Sequence, residues 1–225
     1  MSRKQNSLRN MLVGIVGQAV VIVLQFINRT FFVHTLSSDY LGVNGLFSNI
    51  LNVLSLAELG FGSAIIYSMY KPVANNDEIQ ITALVNLYRK IYKIIGVTIC
   101  ILGLLLTPFL DIFIKDTPKI NNLTLIYLLY LTGTVSSYFF IYKSAVIDAH
   151  QKNYLVTIYQ KTILILQNLL QIIVLYLSHN FILYLMIQIF MGILSNVLIS
   201  HRADKMYPYI NKNKKVQPSK EVTNE

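Results

Sequence analysis

Apolar residues run along this chain in long blocks separated by short polar segments, and the blocks are far longer than the apolar stripe of a soluble helix. Counting stretches of about 20 or more mostly apolar residues predicts six transmembrane helices, at roughly 8–36, 41–70, 91–114, 122–146, 155–178 and 180–201. Arg3, Lys4 and Arg9 mark the start of the first block, which is too long for a signal peptide and lacks a small-residue cleavage site at the right distance. It reads as a retained helix. The first, second and fourth blocks exceed the minimum span, which predicts tilt or protrusion beyond the lipid. Beyond Tyr209 the periodicity is lost, so residues 210–225 read as a basic disordered tail. Neither a repeat at solenoid spacing nor a Pro- or Gly-rich linker divides residues 1–209. The predicted fold class is all-α: a polytopic membrane protein built as one six-helix bundle.

Within the apolar blocks, polar residues recur at helical spacing, where positions three or four apart share a face. The first block carries Gly14, Gln18, Gln25 and Arg29; the second carries Asn44, Ser48, Asn52, Ser55, Glu58 and Gly62. Tyr127, Tyr130, Thr134 and Ser137 mark the fourth, Gln160, Gln167 and Gln171 the fifth, and Tyr184, Gln188, Gly192 and Ser195 the sixth. The third block has little polarity between Thr98 and Thr107, which predicts a lipid-facing helix. Such stripes also serve as glue, letting membrane helices approach and hydrogen-bond. Arg29 and Glu58 go further, because an ionised group in hydrocarbon needs a compensating partner, water or a ligand. Counted from the turn near Ser38 their depths differ by roughly 15 Å at about 1.5 Å per residue, so a direct salt bridge is not expected.

Composition sharpens this picture. Of 225 residues 54% are hydrophobic and only 13% are charged, about half the charge of an ordinary soluble domain. A net charge of +9 would suggest nucleic acid if it formed one patch on a soluble fold. Instead, sixteen basic residues fall at alternate ends of the blocks, from Arg3 through Lys71–Lys93 and Lys143–Lys161 to Arg202–Lys220, and only Lys115 and Lys119 at the opposite ends. That asymmetry predicts cytoplasmic termini and argues against nucleic acid as a partner. Tail lysines could hold anionic lipid heads or simply stay solvated.

Catalytic chemistry is sparse. Cys100 is the single cysteine, the four histidines (His34, His150, His179, His201) show no metal-ligand spacing, and no phosphate-binding glycine loop is present. Asp148 and His150 in SAVIDAHQKNYL could be imagined as an acid/base pair, but the more ordinary reading is solvated polar groups at a cytoplasmic helix end. No enzyme, metal or cofactor is predicted.

The run YLGVNGLFSNILNVLSLAELGFGSAI, followed by YKP and LYRKIYKIIG, resembles the first two helices and next loop of bacterial polysaccharide flippases. These are the Wzx-type proteins of the multidrug/oligosaccharidyl-lipid/polysaccharide exporter superfamily. DAHQKNYL and NVLISHRADKMYPY add weaker echoes. The resemblance implies one lobe of a MATE/MOP-type transporter of the plasma membrane that flips undecaprenyl-pyrophosphate-linked oligosaccharides by alternating access between two six-helix lobes around a cationic cavity. It implies Arg29 at a basic cavity position and Glu58 of AELG at an acidic one; together with Gln18, Gln25, Asn44 and Asn52, read from the polar stripes of the same two blocks, they form the predicted substrate-binding set. It further implies that this chain, resembling only the N-terminal lobe, works with a C-terminal lobe or a second chain and does not transport alone. A six-helix membrane enzyme, or an accessory protein of polysaccharide assembly, is the alternative, and would need a catalytic cluster at one membrane face.

Overall fold

The computed structural model describes residues 3–58, 60–110, 120 and 122–211, and every regular element among them is helical. Helix α1 spans Arg3–Thr35, α2 Ser38–Ser55, α3 Phe61–Ala74, α4 Glu78–Leu106, α5 Leu123–Tyr138, α6 Ser144–Ala149, α7 Asn153–Ser178 and α8 Phe181–Met206. Short 3-10 turns occupy Leu56–Glu58, Thr107–Phe109, Ile141–Lys143 and Pro208–Asn211. Five segments are long and apolar enough to cross a membrane: Asn10–Thr35, Glu78–Phe109, Leu123–Ala149, Asn153–Ser178 and Phe181–Met206. Among the described residues the architecture is therefore a helical membrane bundle with five such spans rather than the six predicted.

The missing sixth is the predicted helix 41–70, which is two helices. Gly60 sits at φ 94°, a left-handed conformation that a Cβ would strain, and it ends the 3-10 turn after α2 and starts α3. The predicted helix 122–146 is also interrupted. Ser137 Oγ turns back to the Thr134 carbonyl at 2.7 Å, and the next amides, Phe139 and Phe140, reach their carbonyls only at 3.4 Å. Serine back-bonding of this kind bends helices. The chain resumes as α6 after Lys143.

Elsewhere the ends obey local chemistry. Asp77 caps α4 by accepting the Gln80 amide at 2.9 Å, and Asn180 caps α8 by accepting those of Ile182 and Leu183. The Asp77 cap places the start of the third long helix at Glu78 rather than Ile91, so the polar stretch before Arg89 is helical. Ile210 is buried, and the bundle extends past the predicted boundary at Tyr209. Lys115 and Lys119 and the tail from 212 onward lie outside the described residues.

Helix α4 forms the core, against the expectation that this helix faces lipid. Ile81, Val85, Tyr88, Tyr92, Ile95, Ile99 and Gly103 are all buried along one face. It packs on α5 and α3, while α1 packs chiefly on α7, which leads through α8 back to α5. The opposite face of α1 exposes Ile15, Val16, Ile22, Val23 and Phe26. In water that face would be an aggregation hazard; within hydrocarbon it is ordinary.

Candidate functional site

The stripes predicted on four helices converge on one cavity of about 410 Å³, lined by Ser48 and Asn52 of α2, Tyr130 and Thr134 of α5, Gln167 of α7 and Gln188 of α8. Helix α2 packs on α4 and α5, and the cavity occupies the space between α2 and the α5–α7–α8 wall. Its polar groups are amides and hydroxyls; no Lys, Arg, His, Asp or Glu lines it. The cavity is neutral, unlike the cationic one implied by resemblance. Tyr130 donates its hydroxyl to Asn44 Oδ1, which fixes the phenol at the rim.

Glu58 lies elsewhere, at the α2–α3 break. Its carboxylate accepts the Tyr92 hydroxyl, Tyr88 stacks edge-on against Tyr92 at 4.4 Å, and Tyr138 lies 5.8 Å from the Tyr92 ring. Gly62 makes room for this cluster: a Cβ there would come within 3.0 Å of the Tyr88 hydroxyl and 3.1 Å of that of Tyr92. Three tyrosines thus surround one half-buried acid where the helix is broken.

Arg29 does not reach either place. It is exposed on α1 and lines a shallow groove with Phe26, Thr30, Val33 and His34. Gln25 is exposed on the same helix. Gln18 accepts the Lys161 ammonium at 2.6 Å, tying α1 to α7. Of the six predicted site residues only Asn52 lines the cavity, with Asn44 behind Tyr130; Arg29, Gln18 and Gln25 lie on α1, and Glu58 sits at the break. Arg29 and Glu58 do not pair, as their depths require. Among the described residues the single ion pair is Lys143–Asp204, at 2.5 Å.

Sequence reasoning missed a buried amide cluster. Asn28 donates to Asn168 Oδ1 at 2.8 Å and to Gln171 Oε1 at 3.0 Å, Asn168 donates to the Leu164 carbonyl, and Gln171 to that of Tyr184. Asn28 and Asn168 are each next to a predicted polar residue, Arg29 and Gln167, but one position off the assumed stripe.

At the basic end, Lys143 and Asn211 both donate to Asp204, Arg89 stacks over Tyr142, and Lys152 lies over Tyr207. His150 stacks on Tyr207 and holds the Val146 carbonyl through Nδ1 at 2.7 Å. Burial lowers the imidazole pKa, partly offset by that carbonyl bond. Asp148 makes no hydrogen bond through its buried Oδ1 and His150 Nδ1 is taken up by the Val146 carbonyl, so no hydrogen bond joins Asp148 to His150 as an acid/base pair. Three or more metal-ligating side chains come together nowhere among the described residues.

These features define a class: an all-helical, multi-span bundle with a neutral, partly open polar cavity between its helices and an acid at a helix break. Compared with known protein families, curated proteins and solved structures, the chain matches none.

Proposed function

We propose that this chain is one lobe of a flippase that carries lipid-linked oligosaccharides across the bacterial plasma membrane, with its basic end in the cytoplasm. The observation that carries this reading is the cavity. Four helices of an otherwise apolar bundle each contribute one or two polar side chains to the same space of about 410 Å³, and membrane helices that needed polar residues only as glue would close that space. The helix broken at Gly60 beside Glu58 adds support, because transporter sites form at discontinuous helices where one structural unit moves against another. So does the sequence resemblance of the same stretch to Wzx-type flippases.

Arg29 fits this reading through its exposure. A guanidinium on the outer face of a spanning helix is costly against lipid, and a second lobe facing α1 would enclose it together with a pyrophosphate. Arg supplies a planar fork of donors that matches phosphate oxygens and stays charged. Replacing Arg29 by Ala on the chromosome of the producing bacterium should abolish surface polysaccharide at unchanged protein level. Arg29→Lys should restore only part of it. Normal export by Arg29→Ala would mark the residue as an interfacial anchor and remove it from the transport site.

A further inference from the structure

We propose that the cavity between α2, α5, α7 and α8 binds an uncharged, hydroxyl-rich group, a neutral sugar ring, and excludes phosphates and acidic sugars. This rests on the transporter reading and assigns the sugar to a site inside the lobe, separate from Arg29. Three observations carry it.

The first is charge. A phosphate or carboxylate placed in this cavity would meet no cation in its lining, so nothing there would offset the cost of stripping the water from an ion. The second is unused hydrogen-bonding capacity. Ser48, Asn52, Thr134 and Gln188 make no side-chain hydrogen bond to any described residue, although all four line the cavity. Gln167, by contrast, is partly engaged with Gln171 at 3.5 Å, and the Tyr130 hydroxyl is committed to Asn44. Amides and hydroxyls offer donors and acceptors side by side, the complement of a sugar hydroxyl, which is also both. Left empty of ligand, these groups need water, and about 410 Å³ accommodates roughly a dozen molecules at about 30 Å³ each.

The third observation is the remaining wall. Leu51, Leu129, Leu164, Leu185 and Ile189 alternate with the polar groups. Sugars present apolar C–H faces between their hydroxyl edges, and a mostly apolar wall with a few placed polar groups is the usual form of a small-molecule site. Gly192 lies at the same wall with nothing within 4 Å of where its Cβ would be. A side chain added there would enter open space.

Ser48→Cys in a Cys100→Ser background puts a nearly isosteric thiol in the cavity of the full chain, purified in detergent. Its alkylation by a neutral maleimide is followed while glucose, galactose, rhamnose, N-acetylglucosamine or N-acetylgalactosamine is raised to saturation, with glucuronate and inorganic pyrophosphate as charged counterparts. At least one neutral sugar should slow alkylation saturably, about threefold when present at about twice its Kd. The two anions should have no effect. Adding Gln188→Leu, or separately Gly192→Leu to fill the space, should abolish the protection while elution and helicity stay unchanged. Unprotected alkylation with every neutral sugar, protection by pyrophosphate, or protection that survives both added substitutions overturns the proposal. The assay needs no transport. If protection fails while Arg29→Ala still abolishes export, the sugar site falls and the flippase reading stands; if protection holds while deletion of the gene leaves surface polysaccharide normal, the flippase reading falls and the sugar site stands.

Discussion

Helices α1 and α4 are about equally apolar, yet the bundle uses them in opposite ways. Only 6% of the most apolar stretch of α1 is buried, against 28% of that of α4. Helix α1 carries the more conspicuous polar residues, Gln18, Gln25 and Arg29, and turns most of its surface outward. Helix α4 looks bland and sits at the centre. In a bilayer, apolar area does not drive helices together, since lipid tails are as apolar as leucine; close packing of small residues and a few hydrogen bonds do. The stripe that matters on α4 is made of size rather than polarity: Tyr88, Tyr92, Gly96, Ile99 and Gly103 at steps of three and four.

The largest effect should come from closing the gap that Gly103 leaves. A Cβ there would collide with the Leu131 side chain, whose Cδ2 and Cγ lie 2.9 and 3.2 Å from the Cβ position. On the same turn Tyr127 donates to the Gly103 carbonyl at 2.9 Å, so the helices cannot separate without losing that bond. Gly103→Leu should therefore destabilise the detergent-purified protein by about 3 kcal/mol or more, the upper range of overpacking. Gly14 on α1 has nothing within 4 Å of its Cβ position, and Gly14→Leu should leave thermal stability unchanged or slightly raised, because leucine suits a helix better than glycine. Equal losses at both glycines would erase the contrast between the two helices.

This contrast also shows how much was legible in the sequence. Long apolar blocks disclosed the helical membrane class, and the ends of α7 and α8 follow closely from the apolar limits at Ser178 and His179. The polar positions of the cavity were legible as well, since Ser48, Asn52, Thr134, Gln167 and Gln188 all belong to stripes read from spacing alone, but the cavity was not: of the six predicted site residues only Asn52 lines it. What could not be read was the break at Gly60, because Ser55, Glu58 and Gly62 around it keep the spacing of an unbroken helix, and only its φ of 94° reveals it. Nor could the neighbours be assigned. Spacing places Gln25 and Arg29 on one face of α1, but it does not say whether that face meets another helix. Glu58 is the instructive middle case: its need for a partner was predictable, and Tyr92 was not, lying 34 residues away.

A smaller effect should follow from cutting the anchor of α1. Asn28 is the buried donor joining α1 to Asn168 and Gln171 of α7. Asn28→Leu keeps the branched shape and leaves both acceptor oxygens short of a donor, with an expected loss of about 1–2 kcal/mol, the range that model peptides give for hydrogen bonds between membrane helices. Adding Asn168→Leu should recover part of that loss, because removing both partners is gentler than stranding one. A double-mutant cycle in detergent reads the coupling directly, and a coupling of zero would mean that α1 is held by packing alone.

The smallest effect should come one residue further on. Arg29 follows Asn28 but projects about 100° around the helix from it, onto the exposed face with Phe26 and Val33. It has no ion-pair partner among the described residues, and its chain neighbours on that face are themselves exposed. Arg29→Ala should thus change the thermal stability of the isolated chain by no more than about 0.5 kcal/mol, the range of a surface substitution. The value of this measurement lies in its pairing with Asn28→Leu. If adjacent positions on one helix give a clear loss and none, then Asn28 belongs to the fold, and any export defect of Arg29→Ala must arise from what binds the open face of α1. A loss at Arg29 as large as that at Asn28 would instead show that the guanidinium holds the bundle together, and its effect on export would then say nothing about pyrophosphate.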